Sequence, residues 1–328
     1  MTLPAPFDAW FPDAAFDGSY GHTLDTLRRV QPVPAPDGFA ERWRRWRADA
    51  ARIGAAPVVL STVDHAGRQV SVIELCGADG VRLRAWLVSP VFGRAARAGV
   101  VHGHGYGGRD EIDLARVPDD AAAIFPVARG LGSLNAGIGA PEPKPEHVLA
   151  GIRDPETYVI GLCARDLWLA ADGLTELAGD LPLYYVGESF GGGVGALAVP
   201  WDDRYIGATL IVPSFGQYDE RLAVVCLGSG EDVRRHVRAH PEAREVLQWF
   251  DASTSMLFAD LPVRVEAALW DQSVPPQGQF AVAAAAKRLD LAVLPAGHAD
   301  YPGSAAVTAD AVQGGLAHLE RVLRARSR

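Results

Sequence analysis

One decapeptide constrains this chain more than any other stretch: Tyr184-Tyr185-Val186-Gly187-Glu188-Ser189-Phe190-Gly191-Gly192-Gly193. The residues just before Gly187 are apolar or aromatic, as suits a strand buried on both faces. Gly187, Ser189 and Gly191 then spell G-x-S-x-G. A serine held on a sharp strand-to-helix turn is crowded by its neighbours two residues away. Glycine at both places relieves that crowding and permits unusual backbone angles. The small residues of 192–199 let a helix pack closely on the sheet. In a chain with 35 glycines the same pattern also arises by chance, as an ordinary strand-to-helix loop. Reading Ser189 as a nucleophile therefore requires an acid, a histidine and an oxyanion loop in the right order around it.

All three are present. Asp271 ends a strand expected over 261–270, and His298 follows the last expected strand, 291–294. The order Ser189, Asp271, His298 is that of α/β-hydrolases and differs from the orders of other serine-hydrolase folds. Both residues fall just past the carboxyl ends of strands, where open α/β sheets bind ligands. A serine hydroxyl is a weak nucleophile without an adjacent base. His298, with an ordinary pKa of about 6.5, suits that base, and Asp271 suits the group that orients it. Each also has a plainer reading: Asp271 as a helix cap, His298 as a loop residue, Asp300 as a rival acid. Among the nine histidines only His298 lies between a final strand and a final helix.

The oxyanion loop is His102-Gly103-His104-Gly105-Tyr106-Gly107-Gly108-Arg109, directly after a short central strand at 99–102. Glycines there bring backbone N–H groups close to a ligand, and the donors would be the amides of Tyr106 and Phe190. His104, Gly105, Gly187 and Gly191 support this arrangement. Two histidines without a third ligand nearby make a poor metal site, and a phosphate loop would need a lysine and another glycine spacing. No metal or cofactor is therefore expected.

The pattern around these motifs gives the fold class. Strands at 58–63, 69–75 and 82–88 precede the alternating β and α units, as at the opening of an α/β-hydrolase sheet. Further strands are expected at 121–128 and 206–213. We expect a mostly parallel central sheet with helices on both faces, divided into residues 1–56, an N-terminal arm and helix, and 57–328, the catalytic domain. The arm, with Pro4, Pro6, Pro12, Pro32, Pro34 and Pro36, lies on that domain because Phe7, Trp10, Phe11 and Phe16 need cover. Asp37 is expected to cap a helix over 38–52 whose Phe39, Trp43 and Trp46 form an aromatic stripe. The stripe either packs on the core or lines a sugar site. Arg129 ties loops together through its five donors, and 134–152 is a loop. Asp154 and Pro155 open a helix running to 178. A helical excursion spans about 214–260, and the charged, helical run within it, 230–250, reads as a solvated face. A helix over 277–288 and a closing helix over 304–326 complete the chain.

Composition narrows the function classes. A net charge of −9 over 328 residues argues against non-specific nucleic-acid binding and against an anionic membrane surface. No stretch approaches the roughly 20 apolar residues of a membrane helix. The N-terminal residues lack the basic and apolar regions of a secretory signal, so a cytoplasmic protein is expected. Cys76, Cys163 and Cys226 form no disulfide or zinc pattern.

With these residues in place, the chain resembles the acetylxylan esterase / cephalosporin-C deacetylase family of α/β-hydrolases over nearly its whole length. His104-Gly105-Tyr106-Gly107-Gly108 is similar to that family's oxyanion loop, and Gly187-Glu188-Ser189-Phe190-Gly191-Gly192 to its G-x-S-Q-G-G elbow. Asp271-Gln272-Ser273-Val274-Pro275-Pro276 resembles its acid segment, and Gly297-His298 its final Gly-His. The resemblance implies removal of acetyl groups from esters of xylo-oligosaccharides or similar small alcohols, and a homo-oligomer. Two departures remove side-chain amides: Phe190 and Leu131 stand where the family has glutamine. A prolyl-oligopeptidase-type peptidase shares the fold and the residue order, and a catalytically silent relative that binds a ligand is a third reading.

Overall fold

The computed structural model describes residues 6–142 and 145–326. Pro4 in the arm, and residues 143 and 144 of the 134–152 loop, lie outside these.

Nine strands form one sheet in the order β1-β2-β3-β5-β4-β6-β7-β8-β9. β1 (Val58–His65), β2 (Arg68–Cys76) and β3 (Arg82–Val88) are antiparallel, and β3 also runs antiparallel to β5 (Ala121–Pro126). From β5 onward every pairing is parallel: β4 (Ala98–His102), β6 (Leu183–Glu188), β7 (Tyr205–Ile211), β8 (Pro262–Ala268) and β9 (Arg288–Leu294). Burial follows this arrangement. β4 is buried throughout and β6 everywhere except its last residue, whereas β1, at the sheet edge, is exposed along its length. Helices cover both faces, as a parallel sheet requires. The Phe39–Ile53, Val159–Ala178 and Phe190–Ala198 helices share one apolar cluster, and the closing helix, Ser304–Arg326, adds Leu319 and Leu323 to another. This is the α/β-hydrolase fold class expected from the pattern.

The aromatic stripe belongs to the core. Trp43 and Trp46 are fully buried, Trp46 stacks on Phe250, and Trp43 meets Trp168 edge-on. No side of it is left to line a sugar site.

Several local expectations need correction. Asp37 is not a cap: the helix starts at Phe39 after Gly38, whose φ of 76° carries the chain into it, and no side chain caps it. Asp154 does not open the next helix either. Its carboxylate accepts from the Glu156 amide in a tight turn, and the helix begins at Val159. The loop after Leu134 contains a short helix, Glu146–Leu149. The helix after Pro275 stops at Ala285, and β9 starts at Arg288, earlier than apolar pattern alone indicated, because it pairs with β8 along its full length. The charged run is not wholly solvated. Glu231 and Arg234 are buried, the carboxylate receiving two 2.7 Å bonds from that guanidinium, and Arg235 adds a third.

The arm reaches the opposite end of the sequence. Phe11 stacks on Trp270 at 4.0 Å, Trp10 stacks on Tyr301 at 5.0 Å, and the Gly18 carbonyl accepts from the Asp271 amide at 2.9 Å.

Candidate active site

The topology places the sequence motifs together. β4 and β6 are parallel neighbours paired from Gly99↔Leu183 to His102↔Val186, so the glycine loop and the serine turn leave the same end of adjacent strands. β7, β8 and β9 follow in the same direction. The loops holding Asp271 and His298 therefore open at that end too.

Ser189 lies at φ 53°, ψ −113°, outside the regions that residues with side chains prefer. Its surroundings impose this backbone. The Ser189 amide donates to the Ile211 carbonyl, and its carbonyl accepts from the Gly193 and Ser214 amides. A Cβ at Gly187 would sit 2.6 Å from the Gly191 carbonyl oxygen, and one at Gly191 would sit 2.8 Å from backbone atoms of Gly103 and His104. These two glycines thus let the turn close against the neighbouring loop. The Tyr185 hydroxyl fastens it, donating to the Gly191 carbonyl at 2.6 Å.

Ser189 Oγ lies 2.8 Å from His298 Nε2, and His298 Nδ1 lies 2.7 Å from Asp271 Oδ2. A carboxylate can only accept, so Nδ1 carries the proton and Nε2 offers its lone pair to the hydroxyl. Asp271 is fully buried. Its Oδ1 accepts from the amides of Ser273 and Val274, and its Oδ2 also accepts from Gln279 Nε2 at 3.0 Å. Burial presses the His298 pKa down, but the hydrogen bond and charge of Asp271, with the charge of Glu188, outweigh it and raise the net value. His298 sits at φ 51°, and a Cβ on Gly297 would fall 2.4 Å from Asp271 Oδ2, so the glycine before it is a steric requirement.

The Phe190 amide is at the start of the Phe190–Ala198 helix, where N–H groups have no intrahelical acceptor. The Tyr106 segment is held across from it. The Gly191 amide donates to the His104 carbonyl, and the Ala128 amide donates to His104 Nε2, leaving Nδ1–H to bond the Gly105 carbonyl. Burial lowers the pKa of His104 to about 4, so it is a neutral tie between the loop and the end of β5. The Tyr106 hydroxyl donates to His147 Nδ1, whose Nε2–H reaches the Arg129 carbonyl. Arg129 is fully buried between Asp79 and Asp166. A cavity of about 310 Å³ joins Tyr106, Phe190, Ser189 and His298, and a second of about 410 Å³ opens on the far side of His298 and Glu188. A larger cavity, of about 600 Å³, shares no residue with this region.

The arrangement brings a polarised hydroxyl, a base with a fixed tautomer, a buried carboxylate and two candidate amide donors to one cavity, as acyl transfer needs. Gln279, Glu188 and Arg221 escaped the sequence reading. Gln279 is one polar residue in an alanine-rich helix, eight positions from Asp271, and no spacing rule links the two. Glu188 stood inside the motif itself and could have been weighed for its charge.

Comparisons with known proteins agree with this picture. The family model for acetyl xylan esterase (AXE1) matches residues 21–304. No curated protein sequence matches the chain. Among solved structures, the acetyl xylan esterase of a Paenibacillus species is similar with a TM-score of 0.78 and 19% identity, covering 89% of this chain and 99% of that one. Acetyl xylan esterase 1 of a Thermoanaerobacterium species gives 0.75 and 19%, over 92% and 99%. A puromycin-hydrolysing peptidase of Mycobacterium tuberculosis gives 0.60 and 19%, over 80% of this chain and 41% of that one. At these identities the structures speak for the fold, and the family match speaks for kinship: the chain belongs to the acetyl xylan esterase family of α/β-hydrolases.

Proposed function

We propose that this carboxylic ester hydrolase removes acetyl groups from acetylated sugars or similar small alcohols through an acyl-enzyme on Ser189. The Ser189 Oγ attacks the acetyl carbonyl carbon while His298 Nε2 takes its proton. The amides of Tyr106 and Phe190 hold the resulting oxyanion, and each such donor is worth about 3 kcal/mol in the transition state. Collapse of the intermediate expels the alcohol, which leaves with the proton from His298. Water, deprotonated by the same nitrogen, then releases acetate. Asp271 keeps Nδ1 protonated and offsets the imidazolium charge.

The observation that carries this reading is the relay from Ser189 to His298 to Asp271, with bonds of 2.8 and 2.7 Å. Phe190 stands in place of glutamine but still carries a backbone amide at the start of its helix, which supports the oxyanion role. A peptidase reading rests on fold likeness alone. We propose a homo-oligomer acting in the cytoplasm, supported by the exposed edge strand with Val58, Val59, Leu60 and Val63, and by three unpaired cysteines.

The test is hydrolysis of nitrophenyl esters from acetate to octanoate by wild type and Ser189→Ala. The expected result is strong acetate preference, with kcat reduced about 10⁴-fold or more in the variant. Full activity in Ser189→Ala would refute the mechanism, and preference for long acyl chains would refute the deacetylase assignment.

A further inference from the structure

Arg221 lies in the wall of the cavity that holds Ser189, Phe190 and Tyr106, and nothing in the acyl-transfer steps uses it. It is only 6% exposed. Its Nε and Nη1 are sealed from solvent without a hydrogen-bond acceptor, and among the described residues no carboxylate pairs with it. Its guanidinium lies 5.7 Å from the ring centre of Phe215 and 5.6 Å from that of Tyr218.

The groups around it are committed elsewhere or neutral. Glu231 is taken by Arg234 and Arg235. Asp251 accepts from the amides of Tyr218, Ser253 and Thr254 and from the Ser253 hydroxyl. Burial raises the Tyr218 phenol to about 12 against the pull of Arg221, and burial raises the Cys226 thiol as well. Neither is an anion near neutral pH. Glu188, on the same cavity, is exposed at its mouth.

A buried cation without an anionic partner is costly, and the neutral Phe215 and Tyr218 rings beside Arg221 do not balance its charge. Here the surroundings make room for it: a Cβ on Gly230 would come within 2.5 Å of Nη2. Nη2 is not among the sealed nitrogens, and both Arg221 and Gly230 line the cavity.

We propose that Arg221 is a specificity-determining residue that pairs with an anionic group, a carboxylate above all, on the ester bound at Ser189. This rests on the esterase reading above and narrows its substrate class to esters carrying a negative charge. Nη2, the one guanidinium nitrogen not sealed, can donate a charge-assisted bond to a carboxylate, and a low-dielectric wall strengthens it. The aromatic rings beside the guanidinium hold it in place.

The test compares matched esters. 4-Acetoxybenzoate against its methyl ester places the charge on the alcohol part. The 4-nitrophenyl monoester of succinic acid against 4-nitrophenyl butyrate places it on the acyl part. The expected result is a kcat/KM ratio favouring the anionic member of one pair by about tenfold or more, as for a charge-assisted pair. Arg221→Gln should collapse that ratio towards one, with Arg221→Lys between. Wild-type enzyme provides a second measurement independent of variant folding: benzoate should compete with nitrophenyl acetate and benzamide should not. Equal or weaker use of the anionic member in both pairs, with benzoate no better than benzamide, overturns the inference. That outcome leaves the esterase reading standing, since loss of nitrophenyl acetate hydrolysis in Ser189→Ala is read separately. If no ester is hydrolysed, the esterase reading fails, and protection of the fold by benzoate but not benzamide still reports on Arg221.

Discussion

Gln279 offers the sharpest test of how the Asp271 carboxylate, the proposed partner of the catalytic base, is held. Its side chain is fully buried and uses every polar position it can direct at the site. Nε2 donates to Asp271 Oδ2 at 3.0 Å and to the Val274 carbonyl at 2.7 Å, while Oε1 accepts from the Ala268 amide at 2.8 Å. Gln279→Met keeps the volume and removes all three bonds. The Val274 carbonyl and the Ala268 amide then lose a buried partner, at about 1–3 kcal/mol each before relaxation. Asp271 keeps its bonds from His298, Ser273 and Val274, so its share of the loss is smaller. The expected destabilisation is about 4 kcal/mol, within the range that a stable domain survives. The chemistry should change in a specific way. Without Gln279, Oδ2 loses a competing donor, its negative charge falls more fully on His298, and the imidazolium is stabilised further. The midpoint of the acidic limb of kcat/KM should therefore move up while kcat/KM falls about tenfold. Urea unfolding measures the first quantity and a nitrophenyl acetate pH profile the second. A stability loss below about 1 kcal/mol with an unmoved profile would refute this account of the carboxylate's support.

Three further predictions concern protons. His298 must be neutral to act as base and its pKa is raised, so activity should rise through a midpoint above the ordinary value of about 6.5. Glu188→Gln, which removes one of the raising charges, should lower that midpoint in the same profile. The stability contributed by the His298–Asp271 pair has the opposite sense: it is full below the unfolded pKa and lost as pH rises through the folded one. His102, His104 and His318 are buried, and burial leads the causes that lower their pKa values to about 3, 4 and 4. Their folded states refuse protons that the unfolded chain accepts below its pKa. Stability should thus fall by about 2 kcal/mol per histidine between pH 6.5 and 5. Denaturant midpoints across that range measure it, and a flat response would contradict the assigned neutral states.

The parts of the site that were legible from sequence share a cause: local sterics and strand order. Gly187 and Gly191 announce themselves because the turn admits no side chain there. Asp271 and His298 announce themselves because parallel strands end in chemistry at one edge. Helix starts were harder. Asp154 carries the right residue type for a cap, but its carboxylate satisfies a turn amide instead, a local competition that spacing does not reveal. Glu231 and Arg234 read as surface charges because burial of a paired ion depends on packing from distant elements. Gln279 and Arg221 were invisible for the same reason. Their significance lies in which partners they have or lack, and only the folded chain decides that.

The arm that covers Trp270 has a consequence for how the protein is made. Gln272 bonds to the Phe16 carbonyl across 256 residues of chain, and Phe11 and Trp10 find their stacking partners equally late. The aromatic residues of the arm therefore leave the ribosome long before Trp270 and Tyr301, and wait for them without these stacking partners. Such closure between distant segments slows folding and prolongs the interval in which sticky surface is exposed. On the proposed mechanism, a stalled chain that already carries the Ser189 turn would still lack Asp271 and His298, so it would not hydrolyse esters before the later strands are made.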